Sequence, residues 1–314
     1  RFDPIDTSRI ESDHFVCLIE ARNLDYDYLT EFCNFNYGKE KRKMHIYSTC
    51  GIYYIQENDM SITGMIDRAK LAKGYITDEY LKPYAIFKSD MKDIYVDEMA
   101  ICSEFEEGIE KQEFQVFYQP VVDAKTGKIV SAEALVRWFH EQKGFISPGQ
   151  FIPALEKGGY ISELDRYMIQ KVTSCLDRRR AEEKRFVPVS VNLSWMDFYD
   201  ENMLEWIVRG LKKNNQKEQK IRFEITETSL AAIGENHTRM LMHLKENGVK
   251  IMLDDFGSGY SSLGMLQDYD FDILKIDISF VRNIGVNKKS ESILRAIIDM
   301  AHQLGIQLVA EGAE

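Results

Sequence analysis

Lys250-Ile251-Met252-Leu253-Asp254-Asp255-Phe256-Gly257-Ser258-Gly259 reads as an apolar strand that ends on two carboxylates and runs into a glycine-rich turn. On its own the aspartate pair fits a tight turn or a helix N-cap as well as a site. The flanking sequence changes that reading. Short strand-like runs recur at 114–118, 129–136, 187–193, 221–225, 272–276 and 307–310, and most of them also close on an acid, an amide or a lysine. The closing residues are Glu133, Asn192, Glu224 with Glu227, Lys275 with Asp277, and Glu311 with Glu314. Between the runs lie helical faces spaced by three and four: Leu164, Met168, Val172, Leu176; then Leu204, Ile207, Val208, Leu211; then Ile293, Ile297, Ala301, Leu304. Gly248 and Gly305 stand where helix C-caps belong, just before a strand. The first two runs are joined through Thr126-Gly127, which predicts a hairpin, whereas the rest are βα repeats. The class is α/β, either a barrel or a doubly wound sheet. In a parallel barrel all strand ends meet at one face, which carries the active site. Strand parity agrees: Glu133, Leu135 and Arg137 share a face, as do Ser190, Asn192 and Ser194.

The first 90 residues differ, being rich in Tyr and Asp, with β-like runs at 14–20 and 44–55, a helical stretch at 26–35 and another at 61–75. They predict a small α+β unit that opens in mid-domain. An acidic helical linker follows over 91–112, and 113–314 forms the second domain.

Composition narrows the function. With 44% hydrophobic and 29% charged residues the chain is neither disordered nor fibrous. Fifty-one acidic against 40 basic residues give a net charge of −11, which argues against a nucleic acid polymer as partner. There is no apolar run long enough for a membrane span and no signal peptide, so the sequence reads as soluble, with any membrane contact left to a segment upstream. The five cysteines have no CxxC spacing, which points to a reducing cytoplasm.

Acids and amides gathered at one barrel face would repel one another if buried without cations. Ligands that are all oxygen select a hard ion such as Mg²⁺ or Mn²⁺, and two ions are needed to neutralise the cluster. A two-metal site activates water and clamps both oxygens of a phosphoryl transfer, so phosphodiester hydrolysis is the natural chemistry. Lys275, among these acids, is placed to orient or deprotonate the water or to stabilise the developing charge; its plain alternative is an ion-pair partner.

Glu133-Ala134-Leu135, within Glu-Ala-Leu-Val-Arg-Trp, resembles the motif of the EAL family of cyclic di-GMP phosphodiesterases. The tripeptide is accompanied, in order, by Tyr118-Gln119-Pro120, Ser147-Pro148, Phe151-Ile152-Pro153, Val191-Asn192-Leu193-Ser194, Glu224-Ile225-Thr226-Glu227, the Asp254 to Leu263 segment, Leu274-Lys275-Ile276-Asp277 and Ala310-Glu311-Gly312. The resemblance implies a TIM-like barrel with an antiparallel first strand and hydrolysis of cyclic di-GMP to linear pGpG. It implies metal ligation by Glu133, Asn192, Glu224, Asp254, Asp255 and Glu311, with Lys275, Glu133 and Glu311 as the catalytic set. Gln119 and Arg137 match substrate contacts, and Glu314, the second glutamate of the family's Ala-Glu-Gly-x-Glu motif, is counted with them. Glu227, Phe256, Gly257 and Asp277 match the loop that couples substrate, metal and dimer contacts, so a homodimer is expected. The family continues past the position of Glu314 into a further helix and strand, so the barrel of this chain is expected to lack its last strand.

The first domain resembles a degenerate GGDEF domain, on Arg9-Ile10-Glu11-Ser12-Asp13-His14-Phe15-Val16, Gly51-Ile52 and Arg68-Ala69. Both glycines of the nucleotide-binding turn are replaced and Glu11 brings in negative charge, which argues against cyclase activity and leaves GTP only as a candidate ligand. The alternative to the enzyme is a catalytically silent cyclic di-GMP receptor or a regulatory scaffold.

Overall fold

The computed structural model describes residues 2–11, 13–37, 44–59, 61–76, 81–213, 220–232, 238–257 and 262–312. Ser12, residues 258–261 and Glu314, each part of a motif quoted above, lie outside them. The chain divides into two compact units, Arg1–Met99 and Ala100–Glu314, and the division falls inside the long helix Asp90–Glu110.

In the first unit Asp6–Glu11 and His14–Leu18 form an antiparallel hairpin. Asp25 caps the helix Tyr26–Cys33 by accepting from the amides of Asp27 and Tyr28. The expected single run at 44–55 is two strands with different partners. Met44–Tyr47 pairs antiparallel with Asn34–Tyr37, and Cys50–Ile52 pairs parallel with Tyr84–Ile86. Asp6–Glu11 escaped the sequence reading because Asp-Thr-Ser-Arg carries no apolar alternation. Gly51 is required where it stands, since a Cβ there would run into the backbone of Ala69 and Lys73 on the helix Ile62–Lys73.

The second unit is built on strands β1 (Phe114–Val122), β2 (Ile129–His140), β3 (Gly144–Ile146), β4 (Val189–Asn192), β5 (Ile221–Thr226), β6 (Lys250–Phe256), β7 (Ile273–Ile276) and β8 (Gln307–Ala310). They form one curled sheet in the order β8-β7-β6-β5-β4-β2-β1, with β3 paired to β2. β1 is antiparallel to β2, and every later neighbour along that path is parallel. The hairpin turn forms as predicted: Asp123 accepts from the Thr126 amide at 2.7 Å, and Gly127 takes the left-handed φ of 65°. Among the described residues β1 and β8 are each paired on one side only, so the sheet is an open path and not a closed ring.

The helices cover the outer face. Ile161–Ala181 buries Leu164, Met168, Val172 and Leu176 as its spacing predicts. Lys288–Leu304 buries Leu294, Ile297 and Ala301, whereas Ile293 and Leu304, assigned to that face from the sequence, are exposed. At the end of β2 the Phe114 and Trp138 rings stack at 4.5 Å. Buried Glu113 accepts from Trp138 Nε1 at 2.9 Å and from the Glu141 amide at 3.0 Å, pinning that strand end.

Candidate active site

The ladder registers assemble the site. Glu133 on β2 lies opposite Gln119 on β1 and beside Ser190 on β4. Two residues further along β4, Asn192 is beside Glu224 on β5, and Thr226 at the end of β5 is beside Asp254 on β6. Glu133 does not end its strand as expected, because β2 runs seven residues past it to His140. It belongs to the site through register and not through a loop.

Successive residues of a strand point to opposite faces, so Asp254 and Asp255 should diverge. They do not, because the β6–β7 register slips between Leu253 and Phe256 and Asp255 adopts φ 56°, a left-handed conformation uncommon outside glycine. The Asp255 amide donates to Asp254 Oδ1 at 2.8 Å. Carboxylate oxygens of Asp254, Asp255 and Glu311 thereby come within 4.8 Å of one another.

Lys275 occupies the centre. Its Nζ donates to Glu224 Oε2 at 2.7 Å, Asp254 Oδ2 at 3.0 Å and Glu133 Oε2 at 3.1 Å, and lies 2.9 Å from Glu311 Oε1. Asn192 Nδ2 reaches Glu133 Oε1 at 3.5 Å. Lys275 is 4% exposed and Glu224 1%. Burial disfavours the ammonium, but Glu224, Asp254 and Glu133 more than offset it and hold the Lys275 pKa above the ordinary lysine range. Glu224 is pushed up to about 7, by burial first and by the charges of Glu133 and Asp254 next, with Lys275 opposing. Asp255 is raised by burial and then by Asp254 and Glu311.

Among the described residues one ammonium faces Glu133, Glu224, Asp254, Asp255 and Glu311, so the site is short of positive charge. The buried Oε1 of Glu224 has no hydrogen-bond partner among the described residues. An orphaned carboxylate oxygen, a cluster of three further carboxylates and a donor set made only of oxygens fit a hard divalent cation.

Other predicted residues support the site or lie apart from it. Glu227 is buried at the start of the helix Glu227–Ala232 and accepts from the Gly257 amide at 3.3 Å, holding the turn after β6. Phe256 is buried beneath that turn. Asp277 caps the helix Ile278–Arg282 through the Ser279 amide at 2.9 Å. Gln119 is exposed opposite Glu133. Arg137 stands four residues along β2 from Glu133, about 13 Å at strand rise, and donates to the Val136 carbonyl. The sequence reading missed Ile278 and Phe280, which pack against Gly312 and Gly257 behind the acidic segments. The available signal was a glycine within two residues of each acidic segment, Gly257 after Asp254-Asp255-Phe256 and Gly312 after Glu311.

Residues 103–314 match the EAL domain family, and the chain belongs to that family. The bifunctional diguanylate cyclase/cyclic di-GMP phosphodiesterase MucR of Pseudomonas aeruginosa is 28% identical over 98% of this chain and 46% of its own length. A cyclic di-GMP phosphodiesterase of the same organism is 35% identical over 64% of this chain and 34% of its own length. The chain thus spans less than half the length of either relative. Among solved structures, the MucR phosphodiesterase in complex with c-di-GMP superposes with a TM-score of 0.63 at 29% identity, covering 68% of this chain and 87% of that one. The EAL enzyme Bd1971, bound to cAMP and cyclic di-GMP, gives 0.63 at 29% identity over 70% of this chain and 60% of that one. The second unit therefore has the fold of this TIM-like barrel family, its described strands forming a curled, open half-barrel sheet. Among the described residues no helix is long and apolar enough to cross a membrane.

Proposed function

We propose that this chain is a metal-dependent phosphodiesterase that hydrolyses one phosphodiester of cyclic di-GMP to linear pGpG in bacterial second-messenger signalling. The observation that carries the reading is the Lys275 ammonium held among carboxylates from β2, β5, β6 and the turn after β8, with Glu224 Oε1 left unpartnered among the described residues. The relatives that are cyclic di-GMP phosphodiesterases support the same substrate. Glu133, Asn192, Glu224, Asp254, Asp255 and Glu311 would hold two ions, Mg²⁺ or Mn²⁺. When bound, such a pair lowers the pKa of water and neutralises charge on the phosphoryl oxygens.

The chain's own residues do the rest. Lys275, kept charged, acts as a donor and not as a base: Nζ orients the attacking water and stabilises charge on the phosphoryl group. Water adds at phosphorus, the 3′ ester oxygen leaves, and that oxygen takes up a proton, which yields pGpG. Gln119 and Arg137 bind the substrate phosphate and its surroundings, together with Glu314. Glu227, through the Gly257 amide, keeps the Asp254–Asp255 turn in place.

In this reading 113–314 is the phosphodiesterase domain, 91–112 the linker helix and 1–90 a degenerate GGDEF domain. The hairpin that brings Asp13 to a turn, and Gly51 packed against the Arg68 helix, support the last assignment. GTP is the candidate ligand of that domain, the protein acts in the cytoplasm, and it pairs as a homodimer. The test is turnover of cyclic di-GMP with Mn²⁺ and with chelator, following pGpG. Product only with metal supports the enzyme; saturable binding without product in either condition overturns it in favour of a receptor.

A further inference from the structure

The helix Ile278–Arg282 is five residues long and sits between the two turns that bring the acidic cluster together. Gly257 follows Asp254 and Asp255, and a Cβ on it would collide with the Phe280 ring. Gly312 follows Glu311, and a Cβ on it would collide with the Ile278 side chain. Both glycines have positive φ, 94° and 67°, so each turn is shaped to let its backbone lie against this helix. The helix is fixed at its own start by the Asp277 cap, and Asp277 follows the strand that carries Lys275. Phe280 also packs on the main hydrophobic core, which backs the helix where it meets the turn at Gly257.

We infer that Phe280 and Ile278 are positioning residues that set the separation between the Asp254–Asp255 turn and the Glu311 turn, and hence the affinity of this site for a divalent cation. The inference rests on the metal-site reading above and adds to it which apolar side chains determine the spacing. Three carboxylates, two at the end of β6 and one on the turn after β8, form one ligand set only if the two segments are held at a fixed distance. Phe280 bears on one turn, Ile278 on the other, and a rigid helix joins them.

The experiment is Mn²⁺ binding to the full chain, by calorimetry and by the Mn²⁺ paramagnetic resonance signal, for the parent, Phe280→Leu, Ile278→Ala and Phe271→Leu. Phe271 is a buried core aromatic in the connection before β7 and serves as the packing control. Loss of a supporting contact behind a metal site typically weakens affinity by about 10–100-fold. Phe280→Leu and Ile278→Ala are expected to weaken Mn²⁺ binding by about tenfold with native circular dichroism retained, while Phe271→Leu lowers the melting temperature without changing affinity. Equal affinity in all four proteins, or an equal loss in Phe271→Leu, overturns the positioning role alone. Absence of saturable Mn²⁺ binding in the parent overturns the metal site itself, and this inference with it.

Discussion

At Lys275, burial and charge act in opposite directions, and the carboxylates around it decide the outcome. Removing one of them need not unfold the barrel, because three remain within reach of Nζ. Glu133→Ala is therefore expected to leave the melting temperature within a few degrees of the parent while kcat for cyclic di-GMP falls at least about 100-fold. Parent-like turnover in that variant would remove Glu133 from the site. The residues that make up this cluster were legible because acids at the ends of apolar runs have no cheap structural explanation when they recur. Their geometry was not legible in full. Asp254 and Asp255 were both expected at the site although strand alternation sends neighbours to opposite faces, and only the slipped register and the positive φ of Asp255 show how both serve it. Arg137 and Gln119 were named from resemblance, and the structure leaves both outside the Lys275 network.

Elements hold the site through their ends. The turn after β4 is anchored by the Ser194 amide, which donates to Asp165 on the helix Ile161–Ala181 at 3.1 Å and to Asp197 at 3.0 Å. Both acids are buried. Burial first, then the Asp197 charge and hydrogen bond, hold the Asp165 pKa well above the carboxylate range; Glu156 adds to the rise and the Ser194 amide opposes it. Asp197 is raised too, by burial and by Asp200, against hydrogen bonds from Asp165, Ser162 and Ser194. A carboxyl whose folded pKa exceeds its unfolded value of about 3.9 binds more protons when folded, so stability falls as pH rises from about 4 through the folded pKa. Asp165→Asn keeps an acceptor for Ser194 and supplies a permanent donor to Asp197. It should melt above the parent at pH 8, by roughly 2–4 °C for each kcal/mol of penalty removed, and the gain should close toward pH 4. Melts across that range check it, and a difference that does not change with pH would rule the pair out as the cause. Neither acid was visible in advance, since Asp165 looks like any polar residue on an amphipathic helix.

Across the molecule, the second unit was the readable half because βα repetition constrains it, with apolar periods of two and of about 3.6 alternating down the chain. The first unit was harder: its strands are three to six residues long, and one of them is almost wholly polar. The balance of charge in the barrel unit also bears on which ion it accepts. Calcium prefers longer and looser coordination than Mg²⁺ or Mn²⁺, so adding Ca²⁺ to the Mn²⁺-loaded chain is expected to suppress pGpG formation, while chelator lowers the melting temperature. Undiminished turnover in Ca²⁺ with Mg²⁺ and Mn²⁺ excluded would contradict the two-ion spacing. The enclosure of Lys275 has a further consequence, in chemical reactivity. Acylating reagents attack only an uncharged amine that they can reach, and Lys275 is both kept protonated and withdrawn from solvent. Among the lysines of this chain it should be one of the slowest to label, so the spontaneous acylation that accumulates on surface lysines during the life of a protein would leave this amine intact.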